Sequence, residues 1–328
     1  MDRQQVLGWY NHRNVGDEAY KLAFPLVFPN SSFNFLDKLS IPTDLCLLGG
    51  GDVLGGQFLK DIKNANKRIA LSVSIPEDIT EDTPNLFSTI IVRDSKSFSI
   101  LKSHINIKPR IEYCPDFTFA LTPDKDKGLH FITQSFASRS LDLYTKRIAV
   151  VINGSLIPNS DTASYQSQAF DHVCRSLAET FDNTNASFIF IPFGNSLPAD
   201  DKVANGYVAS KCKFWKKNLY IDSVLGPQDA LNVLAACDVV ISTRLHSSIF
   251  SCIAGIPFID ILHNHKNTAF LDDLRYSYKM SFWDFSKKEL IEMINKIDKN
   301  HTKIKAKLDI ITRKNKKKLS KINVSLLQ

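Results

Sequence analysis

The feature that most constrains this chain is a rhythm of short apolar runs, each separated by a helix-length segment, that stops once and then begins again. Gln5–Trp9, Asp44–Leu48, Arg68–Val73, Ser88–Val92 and Arg110–Cys114 make the first series. A polar, irregular stretch from Thr122 to Lys146 breaks it, and Arg147–Ile152, Ser187–Ile191, Asn218–Ile221, Cys237–Ile241 and Phe258–Leu262 make the second. Apolar runs joined by connections of that length imply parallel strands with crossover helices. The expected fold class is α/β, built as two Rossmann-like domains over residues 1–142 and 143–286, with a basic helix over 287–328. In open sheets of this kind ligands gather beyond the carboxyl ends of the strands, so a cleft between the two halves is the expected site.

With 328 residues and 44% hydrophobic content, the chain has enough apolar material for two cores. Its formal charge of +7 is concentrated at one end, because Lys287–Gln328 holds twelve Lys and one Arg against four acidic residues. Ile304, Leu308, Ile311, Leu319 and Ile322 recur there at helical spacing, which reads as an amphipathic helix with a solvated basic face. The rival reading is a surface that attracts nucleic acid or an anionic membrane. No apolar run follows the charges of Met1–Gln5, and the longest one, Ile249–Leu262, is too short and interrupted to span a bilayer. A cytoplasmic protein without a secretion signal is expected. The six cysteines include no C-x-x-C pair, which argues against zinc and against a disulfide framework.

Ser242-Thr243-Arg244-Leu245-His246-Ser247-Ser248 follows the strand Cys237–Ile241 and precedes a helix read over Ile249–Pro257. Arginine offers a planar fork to phosphate or carboxylate, and histidine is the side chain best suited to move a proton near neutral pH. The alternative is that Arg244 pairs with a protein carboxylate and His246 caps the helix. After the first strand, Asn14 and Gly16 suit a tight turn and Asp17 a helix start; either the helix N–H groups hold an anion or Asp17 caps them. Gly49-Gly50-Gly51-Asp52-Val53-Leu54 lacks the third glycine of a dinucleotide fingerprint, and Gly56-Gln57 lacks the lysine of a P-loop. Those glycines read instead as points of close backbone approach. Arg93-Asp94-Ser95-Lys96-Ser97 and Pro115-Asp116 follow further strands, and each also reads as a simple helix or turn signal. His263-Asn264-His265 is a weak metal signal, since no carboxylate or cysteine accompanies it, and Lys266 beside it reads as an anion contact.

Taken in order, Gly8-Trp9-Tyr10 through Gly16-Asp17-Glu18, the Gly49–Gly51 cluster, Val92-Arg93-Asp94, Pro115-Asp116, and Thr243-Arg244-Leu245-His246-Ser247 with Gly255-Ile256-Pro257 and Lys266 resemble the polysaccharide pyruvyl transferase family, over about residues 6–275. The resemblance implies a GT-B-like arrangement of the two domains and an enzyme that moves the enolpyruvyl unit of phosphoenolpyruvate onto a saccharide or lipid-linked saccharide, usually as a cyclic ketal. It implies no metal and no cofactor beyond phosphoenolpyruvate as co-substrate, and no nucleic-acid partner. The basic C-terminal helix would supply peripheral contact with the inner face of an anionic membrane. By the same resemblance His246 is the acid and base, Arg244 the donor anchor and Asp17 the group that orients the acceptor hydroxyl. Asn14, Gly16, Gly50, Gly51, Arg93, Asn153, Leu245, Ser247 and Lys266 are the expected substrate contacts. Where family members often carry an arginine, this chain has Asn153, which leaves Arg93 or Arg139 to supply a second anchor. Two other readings stand beside this one: a GT-B glycosyltransferase using a sugar nucleotide, and a catalytically silent saccharide-binding relative.

Overall fold

Every strand pairing among the described residues is parallel. The computed structural model describes residues 3–76, 78–80, 82–104, 106–158, 164–196 and 199–322. The first half runs β1 (Gln4–Leu7), α1 (Val15–Val27), β2 (Phe33–Leu36), β3 (Thr43–Gly51), α2 (Gly56–Asp61), β4 (Ala65–Val73), β5 (Thr89–Val92), α3 (Ser95–Ser103) and β6 (Arg110–Tyr113). The second runs α4 (Lys125–Ser138), β7 (Arg147–Val151), α5 (Ser164–Asp182), β8 (Ser187–Phe190), α6 (Asp201–Lys211), β9 (Asn218–Tyr220), α7 (Pro227–Ala235), β10 (Val239–Ser242), α8 (Leu245–Ala254), β11 (Phe258–Leu262), α9 (His265–Leu274), β12 (Lys279–Ser281) and α10 (Lys287–Leu319).

Two six-stranded sheets result, in the orders β2-β1-β3-β4-β5-β6 and β12-β11-β10-β7-β8-β9. Every residue of β5, β8 and β10 is buried, as expected of strands covered by helices on both faces. The strand order reverses between β1 and β3 in the first sheet and between β7 and β10 in the second. Such reversal points leave a crevice at the carboxyl ends of the two strands that flank them. Gly8 and Gly49–Gly51 lie at the first, and Asn153 and Arg244 at the second.

The chain divides into one compact unit containing Gly16–Leu121 and a second containing Thr122–Thr312, with residues 313–322 returning to the first. The break thus falls at 121/122 rather than at the expected 142/143, because α4 packs on α7 of the second unit. Gly128 comes so close to α7 that a Cβ would lie 1.8 Å from the Asn232 carbonyl oxygen. The Asn232 side chain accepts from the Asp124 N–H at 2.8 Å, and Gln228 donates to the Thr122 carbonyl at 3.0 Å. In α10, Leu290, Ile294, Ile297, Ile304, Leu308 and Leu319 are buried, which bears out its amphipathic pattern; residues 323–328 of the expected helix lie outside the described residues. No helix among the described residues is long and apolar enough to cross a membrane.

The close α4–α7 approach is testable through glycine. Gly128→Ala must force the two helices apart and should lower unfolding free energy by about 2–3 kcal/mol, the range for overpacked sites. Gly55→Ala, where no atom lies within 4 Å of the added carbon, should change it by less than about 0.5 kcal/mol. Equal effects in urea unfolding would show that α4 is not packed as described.

Candidate active site

In the second unit three strand ends meet one buried carboxylate. Asp201 opens α6, whose N-cap is Asp200, the acceptor of the Lys202 N–H at 2.8 Å. The Asp201 side chain is fully buried and accepts from Gly154 N–H (2.8 Å) after β7 and Phe193 N–H (3.0 Å) after β8. From Arg244, after β10, it accepts Nε–H at 3.0 Å and Nη2–H at 2.5 Å. Two glycines permit this convergence. A Cβ on Gly154 would lie 2.4 Å from the backbone of Ala199 and Asp200, and one on Gly194 would lie 3.0 Å from Arg244 Nη2.

Arg244 therefore does pair with a carboxylate, yet the pair does not exhaust it. A guanidinium has five N–H donors and Asp201 takes two. Nη1 makes no hydrogen bond among the described residues, and 19% of the side chain stays exposed, so the outer edge remains able to hold a second anion. His246 is the second residue of a helix that begins at Leu245 rather than at the expected Ile249, so Leu245, His246 and Ser247 belong to the first turn of α8. Arg244 is the N-cap residue, and its own side chain makes no capping hydrogen bond. Ser247 is fully buried, its hydroxyl donating to the Arg244 carbonyl at 2.7 Å and meeting Ser242 Oγ. An expected substrate contact thus serves the turn instead.

Asn153 donates its N–H to Thr243 Oγ1 at 2.7 Å and accepts from Ser155 N–H at 2.9 Å. Its amide nitrogen lies 3.5 Å from His263 Nε2, and that of Asn264 lies 2.9 Å from the same atom. With two amide donors facing it, Nε2 is an acceptor and the ring is neutral. Burial, and then the charge of Arg244, lowers the His263 pKa to about 4. Asn264 also caps α9, accepting from Lys266 N–H at 3.2 Å, which places Lys266 in the first turn of that helix. Beneath both helices, fully buried Asp260 accepts from Ser248 Oγ (2.6 Å) on α8 and from Asn267 Nδ2 (2.8 Å) on α9. Burial raises its pKa to about 7.

The motif residues of the first half of the chain are used differently. The left-handed turn residues are Asn11 (φ 66°) and Arg13 (φ 51°), not Asn14 and Gly16; Gly16 and Asp17 already lie in the first turn of α1. Asp17 Oδ1 occupies the space beside Gly51 (φ 85°), 3.0 Å from where a Cβ would be. Gly50 (φ 76°) is pressed against the Tyr20 ring, where a Cβ would lie 2.3 Å from a ring carbon. These glycines make room for protein groups. Arg93, an expected anion anchor, is 5% exposed and donates to Ser74 Oγ (2.7 Å), Tyr20 Oη (3.1 Å) and Asp116 Oδ2 (3.1 Å), with Asp52 at 3.5 Å. Burial opposes its charge, but Tyr20 and Asp116 more than offset this and hold its pKa above the ordinary value. The residue is an internal counter-ion, so the expectation of a ligand contact at Arg93 does not hold in this structure. Asp94, beside it, caps α3 by accepting from Ser97 N–H at 2.7 Å.

Sequence reasoning missed Asp201 and Asp260, and it took His263 as a weak metal signal rather than as a neighbour of Asn153. The doublet Asp200-Asp201 was the available signal for the first, since one carboxylate suffices to cap a helix. Among the described residues no group of three or more His, Cys, Asp or Glu side chains could hold a metal ion.

Two substitutions test this geometry. Asp201→Asn keeps an acceptor for Gly154 but leaves a partly buried guanidinium uncompensated, and should lower unfolding free energy by about 2–3 kcal/mol; an unchanged value would refute the convergence on Asp201. Asp260 ionises near 3.8 when unfolded but keeps its proton to about 7 in the fold. Between those values the folded state binds more protons, so stability falls as pH rises through that window and is level above it. Asp260→Asn cannot ionise, so its loss of stability between about pH 5 and about pH 8 should be smaller than that of the wild type. His263 contributes a slope of opposite sign, equal in both proteins, that cancels in the comparison. Parallel pH profiles would show that Asp260 is not buried as described.

Solved structures with the same fold span most of the chain. The Staphylococcus aureus MnaA–UDP structure aligns at a TM-score of 0.60 and 9% identity, over 94% of this chain and 90% of that one. A Methanocaldococcus jannaschii UDP-GlcNAc 2-epimerase in complex with UDP-GlcNAc and UDP gives 0.58 at 14% identity, over 90% and 92%. The spinosyn forosaminyltransferase SpnP gives 0.53 at 9% identity, over 100% and 98%. At these identities the likeness is one of fold, and it agrees with the GT-B-like class expected from the sequence. No curated protein matches the sequence. A family model described as polysaccharide pyruvyl transferase matches residues 11–265, a span that includes Asp17, Asp201, Arg244, His246 and His263 and stops one residue short of Lys266. By that match the chain belongs to the polysaccharide pyruvyl transferase family.

Proposed function

We propose that the protein transfers the pyruvate unit of phosphoenolpyruvate to a saccharide or lipid-linked saccharide, forming a cyclic ketal and releasing phosphate. Family membership supports a transferase of polysaccharide synthesis. The observation that carries the donor is the half-occupied fork of Arg244, fixed on one edge by Asp201 and open on the other, with His246 in the following helical turn. Phosphoenolpyruvate bears a phosphate and a carboxylate on three carbons, and a bidentate guanidinium matches either anion.

In this reading an acceptor hydroxyl adds to C2 of the donor while C3 takes a proton, turning the methylene into the methyl group of the product. His246 delivers that proton and accepts the one released by the hydroxyl. The C2–O bond to phosphate then breaks with its electron pair going to the phosphate, a second hydroxyl closes the ketal at C2, and the proton that hydroxyl loses leaves on the phosphate. Lys266 and the first turns of α8 and α9 neutralise the departing phosphate, so the scheme calls for no metal. Asn153 is neutral and its neighbour His263 is held uncharged, which leaves Lys266 as the second cationic anchor. In the first unit the proposal gives Asp17 the acceptor hydroxyl. For a lipid-borne acceptor, the exposed lysines of α10 supply the peripheral contact with an anionic membrane in the cytoplasm. A sugar-nucleotide donor is the second reading, favoured by neighbours of the same fold whose structures contain UDP.

Phosphate release from phosphoenolpyruvate across a panel of saccharide acceptors tests the assignment. Arg244→Lys should lose roughly a hundredfold in kcat/KM, because a point charge cannot keep Asp201 and grip the donor together. His246→Asn should keep donor affinity while kcat falls by roughly a hundred- to ten-thousandfold. UDP binding with no phosphate release from any acceptor would favour the second reading.

A further inference from the structure

At the amino ends of β7 and β9, the opposite end of the second sheet from Arg244 and His246, three large aromatic side chains are held toward solvent. Phe214 and Trp215 are 61% and 60% exposed, and Tyr144 is 37% exposed. Their loops are firmly tied. The Asp182 carboxylate accepts from the N–H groups of Lys213 (2.9 Å) and Phe214 (3.1 Å). The buried Lys217 ammonium donates to the carbonyls of Phe181 (2.7 Å) and Thr184 (2.8 Å) and lies over the Phe214 ring. The Asp142 N–H donates to the Lys216 carbonyl at 2.8 Å, and the Tyr144 N–H to Ser187 Oγ at 2.7 Å. Exposed aromatic rings on a rigid loop form a prepared contact surface, because little ordering remains to be done on binding.

These rings border a hollow of about 560 Å³, within the range of small-molecule sites. Asn183, Thr184 and Asn185 supply amide and hydroxyl groups, and Lys213 and Lys216 add two exposed ammonium groups. We propose that this hollow is a saccharide-binding site separate from the candidate active site. A sugar ring has an apolar C–H face and a hydroxyl-bearing edge, and the hollow offers both complements: the rings of Trp215 and Tyr144, and the amide of Asn185 together with the side-chain oxygens of Asn183 and Thr184, whose Nδ2 and hydroxyl are engaged by the carbonyls of Glu179 and Thr180. Lys213, Lys216 and Lys217 outnumber the two lining carboxylates, Asp142 and Asp182, and so select a saccharide that carries carboxylates. Concavity and these polar groups disfavour a bilayer as the occupant. The site holds a chain while the reacting hydroxyls are elsewhere, and the inference stands whichever donor the active site uses.

The chain has three tryptophans, so a Trp9→Phe/Trp283→Phe background leaves Trp215 as the reporter. Titration with oligogalacturonate should change Trp215 emission saturably, with cello-oligosaccharide binding about tenfold more weakly for want of one charge-assisted contact. Tyr144→Ala and Asn185→Ala should abolish both responses without shifting Tm. In the wild-type background, Trp215→Ala should restore free mobility in a gel containing polygalacturonate. The inference is overturned if neither oligosaccharide gives a saturable response, if retardation survives Trp215→Ala, or if the emission responds to phosphatidylglycerol vesicles instead.

Discussion

A fully buried carboxylate that collects four hydrogen bonds from three loops is the constraint around which the second unit is arranged. Burying a charge costs several kcal/mol unless it is paired and hydrogen-bonded. Asp201 meets that requirement with the backbone N–H groups of Gly154 and Phe193 and with one edge of the Arg244 guanidinium. Its demands reach outward: Gly154 must lack a side chain for the loops to close, Gly194 must leave room for the guanidinium, and the Arg244 fork is fixed before any ligand arrives. A preoriented cation of this kind does not have to reorganise as charge develops on a bound anion.

The first unit shows the same ingredients with the opposite outcome. Arg93 also follows a buried parallel strand and also pairs with a buried carboxylate, Asp116. Ser74, Tyr20 and Asp52 accept from its other nitrogens and protein encloses it, so it stabilises the loops at that end of the sheet. Arg244 keeps an open edge because Asp201 is its sole carboxylate partner among the described residues and the side chain reaches solvent. Whether an arginine after a strand is structural or functional is decided by how many of its five donors the fold has already satisfied.

Strand existence and the α/β class were legible because β3, β4, β7, β8, β10 and β11 are near-continuous apolar runs, the pattern of strands covered on both faces. The edge strands β2 and β12 escaped notice, since Phe33–Leu36 and Lys279–Ser281 are too short to set up a pattern. Arg244 and His246 could be placed at a strand end from order alone. Asp201 could not, because its role depends on a pairing across 43 residues of sequence, and locally it looks like a second cap beside Asp200. Helix α4, within the stretch from Thr122 to Lys146 read as polar and irregular, escaped notice for a related reason: its partner α7 lies about a hundred residues away, and the Gly128–Asn232 approach and the hydrogen bonds of Asn232 and Gln228 appear only in the fold.

The central claim is that the open edge of Arg244 holds the donor anion. It is tested most directly by ³¹P NMR of phosphoenolpyruvate titrated with the protein, read against Arg244→Ala at matched fold content by circular dichroism. The account predicts saturable broadening of the donor phosphorus resonance with the wild type and an unperturbed line with the variant. Equal broadening with both proteins, or a perturbed UDP resonance beside an unperturbed phosphoenolpyruvate line, would contradict it.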